Sequence, residues 1–94
     1  MTPIEFTQQP GTKHYAYQYT STGTKRTIQL TTADGPIAGV AVEIAIDPAL
    51  PWVRIQKIRP ADNTRTLAFV VDIPADIQVR ITSIVPVTQA SYIE

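Results

Sequence analysis

His14 is the only histidine in the chain and cysteine is absent, so the usual means of moving a proton near neutral pH is present once and without a thiol beside it. An imidazole zinc set, a His–Cys set or a two-histidine facial triad needs at least two such ligands, and one chain cannot assemble any of them. Nucleophilic catalysis would have to pair His14 with Ser21, Ser83 or Ser91, none of which sits in a strand-to-helix elbow. Glu43 and Asp47 share the polar face of one stretch but stand roughly 13 Å apart at ~3.3 Å per residue, too far for the paired carboxylates of glycoside hydrolysis. Asp34, Asp47, Asp62 and Asp76 fall at turns, where aspartate caps its own backbone, and a calcium ion shared between two such loops is the metal reading left open. The glycines are isolated, which leaves no phosphate-cradling loop. The expectation is a protein that is not an enzyme and carries no cofactor.

What remains is the chemistry of recognition. Tyr15, Tyr17 and Tyr19 alternate along an extended stretch and make a stripe suited to a core edge, a protein interface or a sugar-stacking platform. Trp52 is followed by Arg54, Lys57 and Arg59, an aromatic with positive charge gathered behind it, which on a neutral domain is more often a solvated strand face than a nucleic-acid groove. Ile4 and Phe6 are spaced for one face of an extended segment between Pro3 and Pro10, with Gly11 as a hinge; residues 1–12 read as an arm that docks on a neighbour, or else as a first edge strand or a frayed terminus.

The elements that would position these residues are strands. Val, Ile and Thr dominate, leucine occurs only at Leu30, Leu50 and Leu67, and eight prolines deny any long helix. Gly39 opens the cleanest alternation: Val40, Val42, Ile44 and Ile46 on one side, Ala41, Glu43, Ala45 and Asp47 on the other. Val42→Asp is therefore expected to prevent folding and Glu43→Ala to be nearly silent. Lys25 to Thr32 places Arg26, Ile28 and Leu30 on one face. Trp52 to Arg59 inverts its pattern near Gln56, where a bulge is expected. Thr64 to Asp72 is apolar on both faces in its middle and reads as a central strand, and Ile77, Val79 and Ile81 alternate with Gln78, Arg80 and Thr82. Val87 to Glu94 is a last strand or a tail. The expected core is Ile28, Leu30, Val40, Val42, Ile44, Ile46, Val53, Ile55, Leu67, Phe69, Val71, Ile77, Val79 and Ile81. Turn signals recur about every ten residues, the spacing of an antiparallel sandwich of about seven strands. A five-stranded barrel of the oligonucleotide-binding type, with the tyrosines stacking bases, is the alternative fold.

Asp34-Gly35-Pro36, then Ile37-Ala38-Gly39 and the alternating Val40 and Val42, resemble the bacterial and bacteriophage immunoglobulin-like domains, which join a turn containing Asp and Gly to a β-branched strand through a Pro-apolar-small-Gly step. The later Pro-Ala-Gly step of that family stands here as Pro74-Ala75-Asp76, without the glycine. The resemblance implies an all-β, single immunoglobulin-like antiparallel β-sandwich over residues 13–94. It also implies a structural role, as an accessory virion component such as a head decoration or tail protein, made in the host cytoplasm and working through contacts with copies of itself and larger virion proteins. A surface or adhesin-type module that recognises carbohydrate or a host protein, at the cell surface, is the alternative. Gly39 is expected to take a backbone conformation closed to β-branched residues.

Eight basic and eight acidic side chains cancel, which supplies no long-range field for nucleic acid or anionic lipid, and no apolar run approaches the ~20 residues of a membrane span. Neither nucleic acid nor membrane is an expected partner. No basic and apolar leader follows Met1, so a cytoplasmic product is expected.

Overall fold

β-Branched side chains hold the backbone extended, and prolines and glycines at regular intervals turn it, so the chain folds entirely as strands. The computed structural model describes residues Met1–Glu94 and contains nine strands: β1 (Thr2–Pro3), β2 (Thr7–Gln8), β3 (Tyr15–Thr20), β4 (Arg26–Thr32), β5 (Val40–Ala45), β6 (Val53–Ile58), β7 (Thr66–Val71), β8 (Gln78–Ser83) and β9 (Val87–Ile93). They form two antiparallel sheets, ordered β1-β9-β4-β7 and β2-β3-β8-β5-β6, that pack face to face as a sandwich and not as a closed barrel. The count exceeds the expected seven because the N-terminal segment adds two strands of two residues each.

That segment bridges the layers of its own chain. Thr2 and Pro3 pair with Tyr92 and Ser91 on one sheet, while Thr7 and Gln8 pair with Ala16 and Tyr15 on the other. Between them the Ile4 amide donates to the Ala90 carbonyl at 3.0 Å, and Ile4 and Phe6 pack against the core. Val87–Ile93 is a strand and not a tail, and it lies between β1 and β4.

Of the expected core, Ile28, Leu30, Val40, Val42, Phe69, Val71, Val79 and Ile81 are buried, joined by Ile37, Ile73 and Ala90, while Ile44, Leu67 and Ile77 pack half-buried against them. Ile46, Val53 and Ile55 are exposed at 73%, 58% and 46%. Their place is marginal: β6 is the edge strand of the longer sheet and Ile55 is its bulged residue, and Ile46 lies past the end of β5. β7, expected at the centre, is an edge strand, with Ala68 and Val70 on its exposed side. The bulge expected near Gln56 is present, because Val42 pairs with Gln56 and Glu43 with Arg54, leaving Ile55 as the extra residue.

The corners depart from the sequence reading in one instructive way. Gly39 does not adopt positive φ, and a Cβ added there would meet Lys57 Cε at 3.4 Å, an ordinary contact. Among the non-glycine residues the left-handed conformation falls on Asn63, at φ +65°, and on Asp76, at φ +68°, the latter at the position where the resembled family carries glycine. Buried Ser21 fastens that corner: its hydroxyl donates to the Ile73 carbonyl at 2.7 Å and its carbonyl accepts from the Asp76 amide at 2.8 Å. Gly23, at φ +88°, lets the facing turn approach, since a Cβ there would stand 3.1 Å from Ala75 Cβ.

Candidate functional site

Register decides which side chains meet. On the five-stranded sheet, Tyr15, Ser83 and Val40 form one row across β3, β8 and β5, followed by Tyr17, Ile81 and Val42 and then Tyr19, Val79 and Ile44. These rows face the other sheet, so the tyrosine stripe points inward and is no stacking platform for bases or sugars. Tyr17 and Tyr19 pack against the core with rings stacked at 5.2 Å, and Phe6 approaches Tyr17 at 6.0 Å. Tyr15 is half-buried at the β2 end of the stripe.

Arg26, expected on the inner face of β4, is buried among these rings. Its guanidinium carbon lies 4.0 Å from the centre of the Tyr19 ring and 3.8 Å from that of Tyr92, a cation held between two aromatic faces. Nη1 donates to Tyr17 Oη at 2.8 Å and Nη2 to Glu94 Oε1 at 3.1 Å. Thr22 and Thr24 donate their hydroxyls to the other carboxylate oxygen of Glu94. Those two hydroxyls first, and Arg26 after them, hold the Glu94 carboxyl down to about 2. Burial pushes the Tyr19 phenol up to about 12 against the pull of Arg26, and raises Tyr17 for the same reason. This cluster fastens one end of the sandwich.

The outer face of the same sheet carries a second arginine in similar chemistry but in the open. Gln18, Arg80, Glu43 and Arg54 form a row across β3, β8, β5 and β6. Arg80 Nε donates to Glu43 Oε1 at 2.8 Å, with side chains 24% and 14% exposed, and the Arg80 guanidinium lies 4.5 Å from the centre of the Trp52 ring. Trp52 is placed by the turn before β6, where the Asp47 side chain accepts from the Ala49 amide at 2.9 Å and the Asp47 carbonyl from the Leu50 amide at 2.9 Å.

Two grooves flank this row. One, of about 440 Å³, is lined by Trp52, Ile46, Pro48, Leu50 and Ala45 with Gln18, Gln78 and Asp76. The other, of about 400 Å³, is polar and lined by His14, Glu43, Arg54 and Arg80 with Gln9, Pro10, Thr12 and Thr82. Lys57 sits in the next row, opposite Ala41, and borders a smaller hollow that also contains His14 and Arg54.

Of the residues singled out from the sequence, Trp52, Arg54 and Lys57 are thus brought to one face, Arg59 is exposed just beyond β6, and Ile4, Phe6, Tyr17 and Tyr19 are packed inward. Arg80 and Gln18 were not among the expected recognition residues, and Glu43 and Asp76 were weighed only as carboxylates, although the alternation of β5 and β8 had already put Glu43 and Arg80 on outer faces. No three His, Cys, Asp or Glu side chains gather closely enough to hold a metal ion, so the corner aspartates do not converge. The outer face offers a planar aromatic, aliphatic rims and a row of alternating charge, which suits recognition of another surface. Comparison with protein-family models, curated proteins and solved structures found no match to this chain.

Proposed function

We propose that this protein is a structural and interaction module that engages a larger assembly through the outer face of its five-stranded sheet. The observation that carries the proposal is the exposure of Ile46 (73%) and Leu50 (59%) on the rim of the Trp52 groove, beside the Arg80–Glu43–Arg54 row. Large aliphatics held open next to a tryptophan and arginines have the composition of a protein interface centre and its rim. The resemblance at Asp34–Val42 supports placing that module in a virion, as a head decoration or tail component. It also supports an immunoglobulin-like reading in which β4, β5, β7 and β8 take the places of strands B, C, E and F. In that reading the first and last long strands are exchanged, β3 lying beside β8 and β9 beside β4.

The test is attachment. Purified chain mixed with particles of the phage that encodes it should sediment with them, and Trp52→Ala or Leu50→Asp should abolish this while melting as wild type does. Retained attachment in both variants would move the interface elsewhere. One observation favours a second reading: the Trp52 groove also presents Gln18, Gln78 and Asp76, an aromatic with amide and carboxylate partners of the kind that binds a sugar ring. Quenching of the single tryptophan by a glycan, with no particle attachment, would favour that reading.

A further inference from the structure

We infer that the free edge of β7 is a pairing site for a second copy of this chain, joining two four-stranded sheets into one of eight strands. The inference concerns a different surface from the Trp52 groove and does not depend on the virion reading. A strand at the edge of a sheet offers unpaired N–H and C=O groups, and folded proteins guard such edges with charge, proline, bulges or brevity. The strands that end the sheets elsewhere are short or charged, although β2 covers only the Tyr15–Ala16 end of β3. β1 and β2 have two residues each, with Pro3 in β1. β6 carries Arg54 and Lys57, is bounded by Pro51 and Pro60, and is bulged at Ile55.

β7 has none of these guards. Thr66–Val71 reads TLAFVV without a charge or a proline, and it pairs with β4 in unbroken register from Arg26↔Val71 to Thr31↔Thr66. Its outward side chains, Ala68 and Val70, are exposed, Val70 at 50%. They belong to an outer face made with Thr27, Gln29 and Thr31 of β4 that has no ionised side chain.

The edge is self-complementary. Leu67, Phe69 and Val71 face the core, so a second copy that continues the sheet must match inward residues with inward ones. A two-fold axis through Phe69 does so, placing Leu67 opposite Val71 of the second copy and Ala68 opposite Val70 of the second copy. The strand is bounded by Arg65 at one end and Asp72 at the other, both exposed. In this register Arg65 lies opposite Ile73 and Asp72 opposite Thr66 of the second copy, so each charge at the strand end stands one position along from its opposite, whereas a parallel arrangement would set like charges together. Arg65 donates only Nη1 within its own chain, to the Ala33 carbonyl at 2.7 Å, which leaves its other donors free. Six residues make an edge only ~20 Å long, smaller than a standard interface, so the dimer is weak in dilute solution and gains by repetition on an array.

Sedimentation velocity from about 10 µM to about 1 mM brackets the weak range in which a dimer is expected to appear. Species that stay monomeric throughout, or that grow past the dimer, would overturn the inference, because a two-fold contact closes on itself. Val70→Lys and Ala68→Lys should each weaken dimerisation at least ten-fold without moving the melting temperature, and Ile55→Lys on β6 should leave it unchanged. The reverse pattern would put the contact on the other edge and refute the proposal. Arg65→Asp and Asp72→Arg should each weaken the dimer, and the double variant should restore it. A double variant no better than the singles would exclude the antiparallel pairing.

Discussion

Arg26 and Arg80 are built from the same parts and do different work. Each guanidinium lies against an aromatic ring and donates to a glutamate. Arg26 is enclosed between the sheets, with Tyr19 on one side and Tyr92 on the other, whereas Arg80 lies on the outer face with Trp52 and Glu43 and lines the polar groove. The difference is solvent. A cation removed from water must be met from several directions, and once met it fixes the elements around it. One that stays partly exposed, as Arg80 does at 24%, keeps part of its hydration and contributes shape and charge to whatever binds there.

The sharpest way to break this comparison is to remove each arginine. Arg26→Ala leaves a gap between the Tyr19 and Tyr92 rings and strips donors from Tyr17 and Glu94, and should cost about 3 kcal/mol by chemical denaturation. Arg26→Met keeps the packing and should cost about 1 kcal/mol, because an apolar group of similar volume has no desolvation to recover. A loss from Arg26→Ala no larger than that from Arg80→Ala would show that the cage is ornamental to stability.

Acid should separate the two clusters next. The Glu94 carboxyl is lowered from 4.5 to about 2 in the folded protein, so its contribution is fully present above pH 4.5 and is lost as the pH falls towards 2. In Glu94→Gln the urea midpoint should lose that part of its acid dependence. An unchanged pH profile would mean that the hydroxyls of Thr22 and Thr24 and the Arg26 guanidinium do not hold the carboxylate in solution.

Glu43→Ala and Arg80→Ala are expected to be smaller, about 1 kcal/mol each, with a double-mutant cycle coupling below that. Glu43→Ala is expected to cost more than alternation alone implies, because its side chain is only 14% exposed and engaged by Arg80. The smallest effect concerns the corner between the clusters. Asp76→Gly should stabilise by about 0.5 kcal/mol, by relieving a left-handed backbone at φ +68°, and should move neither cluster. A loss instead would mean that the Asp76 side chain supports the groove it lines.

Period-2 alternation made the inner faces of β4, β5 and β8 legible, because a strand between two others must choose a side for its apolar residues. It failed at Val53 and Ile55, which lie on an edge strand whose alternation is broken by the bulge at Ile55, and at β7, where apolar residues on both faces suggested a centre and belong to an edge. Single-strand patterns carry no information about neighbours. That is why Trp52, Arg54 and Lys57 were recognisable as a group while their companions Arg80 and Glu43 were not: these two meet only through the pairing of β5 with β8. The tyrosine stripe was legible as a stripe, and its direction was not. Arg26 could be placed inward from its spacing, but the rings that receive it come from two other strands in different sheets, Tyr19 of β3 nearby in sequence and Tyr92 of β9 far from it.

The order of strands in the two sheets also sets the pace at which this protein is made. Only β2 with β3 and β5 with β6 are neighbours both along the chain and within a sheet. Every other pairing joins distant segments, as where Tyr19 meets Val79, and closing such loops must precede the contacts that reward it. Folding is therefore expected on a time scale of about milliseconds to seconds, not the microseconds of a lone hairpin. Through that interval the uncharged Thr66–Val71 stretch waits for β4 with both of its edges open, one of which the native fold never covers. Refolding yield should fall as protein concentration rises, and the hazard is one of exposure time and not of final stability.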